Sequence, residues 1–117
     1  MQTALARIIL FTHDVDRLRR FYMDNFGLTV VSEEPGWVEL SGEGCNLALH
    51  KAQGPKTAST NSNFKLSFGM ADVSAVRKEL EAKGLKFGKT FTWQGFEFAD
   101  TEDPDGNPVQ ISSRGMR

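Results

Sequence analysis

An α+β fold of two βαβββ modules, forming a curved mixed sheet around a cleft, is predicted by three observations. The first is an internal repeat. Asp14-Val15 recurs 58 residues later as Asp72-Val73, and Gly27-Leu28 recurs 57 residues later as Gly84-Leu85. The second is element order, since each half reads strand, helix, strand, strand, strand. The third is size. The chain has 117 residues, of which 39% are hydrophobic and 25% charged, which suits one small domain whose halves need each other. Modules 1–52 and 64–117 are expected, joined by a connection over 53–63.

The first module opens with Leu5 to Thr12, rich in Ile and Leu, which reads as a strand. Asp14 is a good N-cap, because its carboxylate accepts from the free N–H groups of a first helical turn. Val15, Leu18, Phe21 or Tyr22, and Phe26 then recur at helical spacing. Gly27 ends the helix, since glycine takes the left-handed conformation without penalty. Leu28 to Ser32 is a strand, Glu34-Pro35-Gly36 a turn, Trp37 to Ser41 a second strand, and Cys45 to His50 a third.

The second module follows the same plan. Phe64 to Met70 is a strand, Asp72 caps a helix with Val73, Val76 and Leu80 on one face, and Gly84 closes it. Phe87, Phe91 and Trp93 share a strand face by period two. A two-residue hairpin at Gln94-Gly95 would pair Trp93 with Phe96 and Phe91 with Phe98, an aromatic ladder. The turn Asp103-Pro104-Asp105-Gly106-Asn107 leads into the last strand, Val109 to Ser112. Two further stretches repeat: Trp37-Val-Glu-Leu matches Phe96-Glu-Phe-Ala at an offset of 59, and Cys45 to Leu49 matches Asn107 to Ile111 at 62. Lys51 to Asn63 lacks periodicity and is full of Gly, Pro, Ser, Thr and Asn, so it reads as an exposed connection.

Composition excludes several functions. Lys and Arg number 14 against 15 Asp and Glu, so nucleic acid and anionic membranes are not expected partners. No apolar run approaches the roughly 20 residues of a membrane-spanning helix. Met1 to Arg7 lack a signal peptide's apolar stretch, and a cytoplasmic location is expected. The single Cys45 leaves no internal disulfide and no paired-cysteine metal site.

Arg20-Phe21-Tyr22 with Phe26-Gly27-Leu28, together with Asp103-Pro104-Asp105-Gly106-Asn107-Pro108-Val109-Gln110, make the chain resemble the vicinal oxygen chelate superfamily. This is the glyoxalase, bleomycin-resistance and extradiol-dioxygenase group, and the resemblance spans essentially the whole chain. It implies paired βαβββ modules. In enzymes of the group it implies a divalent metal held by His or Glu on the first and last strands of each module. Carried onto this chain, those positions are Arg7, Ala48, Lys65 and Gln110. A divalent cation wants carboxylate oxygens or imidazole nitrogens. Arg and Lys offer it only positive charge, and Gln a single carbonyl. No metal cofactor is therefore expected. His50 shares the face of Ala48 but stands without a second ligand.

The expected function is metal-independent binding of a small molecule, resembling the bleomycin-resistance proteins, which sequester their ligand as homodimers. Arg7 and Lys65 would then carry the charge that an ion carries in the enzymes and hold an anionic group, with His50 and Gln110 as hydrogen-bond donors. Trp37 and Trp93 would stack on an aromatic ligand. The competing reading is a glyoxalase-like lyase, isomerase or dioxygenase with a divalent metal, so whether the protein is an enzyme stays open. Other candidates have plainer roles. His13 sits at a strand–helix junction that Asp14 caps. Glu39 and Glu97 have no His beside them, and Cys45 has no flanking cation.

Overall fold

A computed structural model describes residues 1–56 and 63–116. The chain divides into two compact units, Met1–Ala58 and Ser59–Arg117. Each carries one helix and a four-stranded mixed sheet, in the order strand, helix, three strands.

The first unit contains β1 (Arg7–Thr12), α1 (Val15–Phe26), β2 (Thr29–Glu34), β3 (Trp37–Ser41) and β4 (Asn46–Lys51), with sheet order β1-β4-β3-β2. β1 runs parallel to β4, and the other neighbours are antiparallel. Asp14 caps α1 by accepting from the Arg17 backbone N–H at 3.0 Å, and Gly27 closes the helix in the left-handed region. The buried side chains of α1, Leu18 and Tyr22, belong to the face that meets β3 and β4, where Val38, Leu40, Leu47 and Leu49 are also buried. Removing each such side chain from water contributes about 1.5–3 kcal/mol before entropy is counted.

The second unit repeats the design with β5 (Leu66–Gly69), α2 (Val73–Ala82), β6 (Phe91–Trp93), β7 (Phe96–Glu102) and β8 (Pro108–Ser112), in sheet order β5-β8-β7-β6. Asp72 accepts from the Ala75 N–H at 2.9 Å, as Asp14 does in the first unit. Val73 and Leu80 of α2 are buried with Leu66, Ala99, Val109 and Ile111.

Period two decides what remains on the other side of each sheet. In the first sheet that face presents Arg7, Ile9, Phe11, Trp37, Glu39 and His50. In the second it presents Ser67, Phe91, Trp93, Phe98, Asp100 and Gln110.

Several boundaries differ from the sequence reading. β1 begins at Arg7, not Leu5, and β5 at Leu66, not Phe64. β2 continues to Glu34, with a register shift between Val30 and Ser32 that the sequence does not announce. Phe87 is not on a strand with Phe91. Its carbonyl and that of Gly88 accept from the Arg77 guanidinium, and the Phe87 ring lies under Arg77 at 5.6 Å. Arg77 thus draws this segment onto α2. By register, Trp37 corresponds to Phe98, which opposes Ser112 as Trp37 opposes His50, whereas the sequence match pairs it with Phe96. Most of the connection read over 53–63 lies outside the described residues.

Candidate functional site

The sheet of the second unit builds an aromatic concavity. Gln94 and Gly95 both have positive φ, 47° and 85°, the backbone of a tight two-residue hairpin turn. This turn fixes the predicted register, Phe91 opposite Phe98 and Trp93 opposite Phe96. Phe91 and Phe98 stack with centroids 5.5 Å apart, and Phe96 lies 6.0 Å from Phe98. With Trp93 these rings line a concavity of about 320 Å³. Trp93 is 60% exposed and Phe91 48%, an unusual outlay of aromatic surface for a chain this size.

Polar groups border the rings. Gln110, Ser112 and Arg114 line the same concavity. They alternate along the chain, so they share one side of β8 and its continuation. Gln110 is held from two directions. Its amide N–H donates to Asp100 Oδ1 at 3.2 Å, and its carbonyl accepts from Ser67 Oγ at 3.0 Å. Lys65 donates to the other Asp100 oxygen at 2.8 Å. Arg114 places its guanidinium over the Phe96 ring, 5.2 Å from the centroid.

The first unit carries a related network. Arg7 Nε donates to both oxygens of Glu39, each at 3.1 Å, and Asn46 Nδ2 donates to Oε2 at 2.9 Å. Glu39 is buried, at 8% exposure. The Asn46 hydrogen bond and then the Arg7 hydrogen bond hold its carboxyl below the ordinary value of 4.5, against the opposing pull of burial. Beyond it on the same face, the His50 ring lies between Phe11 and Trp37, at 5.4 and 5.6 Å.

The six residues singled out from the sequence therefore fall into two groups. Arg7, Trp37 and His50 share a face of the first sheet. Lys65, Trp93 and Gln110 lie on the corresponding side of the second. What the sequence reading missed is the pairing of each cation with a carboxylate, Glu39 for Arg7 and Asp100 for Lys65. An anion approaching either cation would compete with that partner. Arg114 was also missed, although its parity with Gln110 was readable.

The donor set does not fit a divalent metal. Ala48 is fully buried and has no donor. Both oxygens of Glu39 and of Asp100 are taken by cations and amides. Among the described residues, no group of three or more His, Cys, Asp or Glu side chains comes together as a metal site. No helix among them is long and apolar enough to cross a membrane.

Comparison with known proteins agrees with this architecture. The model of the Glyoxalase/Bleomycin resistance protein/Dioxygenase superfamily matches residues 4–111. No curated protein sequence matches the chain significantly. Among solved structures, SMU.1112c superposes with a TM-score of 0.80 at 23% identity, covering 96% of this chain and 99% of that one. Lactoylglutathione lyase from Agrobacterium tumefaciens gives 0.76 at 25% identity, covering 95% and 93%. The oxidase ChaP-H2 gives 0.78 at 22%, covering 97% and 95%.

Proposed function

This chain belongs to the Glyoxalase/Bleomycin resistance protein/Dioxygenase superfamily, and we propose that it is a metal-independent member that binds a small aromatic or anionic molecule and acts by holding it. The observation that carries this reading is the aromatic concavity of the second sheet, with Phe91, Trp93, Phe96 and Phe98 on one side and Gln110 fixed beside them. Flat rings stack there, and the polar border orients the guest. The donor set supports the same reading, because the positions matching the superfamily's ligands carry Arg7, Ala48, Lys65 and Gln110.

The protein is proposed to work as a homodimer. β1 is an edge strand whose Ile8, Ile9 and Phe11 are exposed, the last at 64%. A second copy is the partner that would cover such an apolar edge. Sedimentation velocity on the purified chain checks this, with a dimer expected.

Thermal unfolding in excess EDTA, screened against flat aromatic compounds and small organic anions, tests the binding function. Saturable stabilisation is expected from aromatic members of the set, and Trp93→Ala should abolish it. Stabilisation that needs added metal, or none from any compound, would contradict the reading.

A further inference from the structure

We propose that Arg114 selects the ligand of this concavity, and that the ligand class is a planar arene bearing an acidic group such as a carboxylate. The inference rests on the binding function proposed above and adds the residue and the charge that define the guest.

Charge accounting identifies the residue. The cations expected to hold an anion, Arg7 and Lys65, are occupied by Glu39 and Asp100. Arg114 differs. Among the described residues its guanidinium has no carboxylate partner, and its contact is the Phe96 ring. A cation held against a ring by the quadrupole keeps N–H donors for a second partner. Among the described residues it is also the one ionised side chain lining the concavity.

The surroundings favour the same sign. At the far side of the ladder, Lys89 Nζ lies 5.8 Å from the Phe91 ring centroid. Asp100 is the neighbouring carboxylate, and both its oxygens are engaged by Lys65 and Gln110. Ser112 accepts from the Arg114 backbone N–H at 3.1 Å, which leaves its hydroxyl proton to donate. An anion at this end therefore meets a guanidinium and a hydroxyl donor, while a cation meets a positive group at either end of the ladder, Arg114 over Phe96 and Lys89 by Phe91. A space of about 320 Å³ suits a one- or two-ring compound. A bidentate acid on Arg114 would place its ring against the aromatic ladder.

Calorimetric titration of the full chain with 2-naphthoate and with its neutral isostere 2-naphthamide tests this. The acid is expected to bind at least about tenfold tighter than the amide. Arg114→Gln should reduce the acid to the level of the amide and leave the amide unchanged. Arg20→Gln, which removes the same charge from the exposed side of α1, should leave the preference intact. Equal binding of the two compounds, or a preference that survives Arg114→Gln, would overturn the assignment of Arg114 while leaving the binding function standing. Failure of both compounds to bind the wild-type chain would overturn the binding function and this inference with it. Self-association that Trp93→Ala abolishes, with no arene bound, would do the same.

Discussion

Arg7 Nε stands 3.1 Å from each carboxylate oxygen of Glu39, and this pair neutralises the carboxylate buried in the first sheet. A carboxylate at 8% exposure needs its lone pairs filled. Arg7 from β1 and Asn46 from β4 fill them, reaching across the strand order β1-β4-β3.

Acid stability should report this directly. Glu39 has a folded pKa below its ordinary value of 4.5. Its contribution is therefore fully present above pH 4.5 and is lost as the pH falls through the folded value. Thermal unfolding across the acid range should show wild type and Glu39→Gln furthest apart above pH 4.5, converging below it. A gap that widens toward acid would contradict the pairing.

The equivalent pair in the second unit should matter less. Lys65 and Asp100 have side chains 48% and 39% exposed, so solvent and salt screen them. A double-mutant cycle with Lys65→Ala and Asp100→Ala should give a coupling of about 0.2–1 kcal/mol, shrinking at high salt.

The hairpin offers a stabilising change. Gln94 holds a φ of 47°, which asparagine and glycine adopt more readily than glutamine. Gln94→Asn should raise stability by about 0.5–1 kcal/mol in denaturant titration. Gly95→Ala, at a φ of 85°, should lower it by about 1–2 kcal/mol.

The loop before β8 depends on one side chain. Buried Asp103 accepts from the backbone N–H groups of Asp105 and Asn107 and from Asn107 Nδ2, at 2.8 to 3.0 Å. Asp103→Ala strands those donors and should cost about 2–4 kcal/mol by urea unfolding. Asp103→Asn should recover part of it.

Local chemistry is what the sequence displayed best. The caps Asp14 and Asp72, the stop at Gly27 and the Trp93–Phe96 register each depend on residues near one another in the chain. The ion pairs did not show, because Arg7 meets Glu39 only after β4 has come between their strands. The same holds for Lys65 and Asp100 across β8. Phe87 looked like strand by parity alone, and Arg77, ten residues earlier, draws it away. Arg114 lies beyond the last strand, so the strand pattern does not reach it, although it continues the alternation of Gln110 and Ser112.

The metal content of the protein tests the account most directly. The chain, incubated with Zn, Ni, Mn or Fe(II) and then desalted, should retain well under one equivalent of any of them by elemental analysis. One tightly held equivalent per chain, liganded by this chain's own side chains and needed for an aromatic acid to bind, would contradict it.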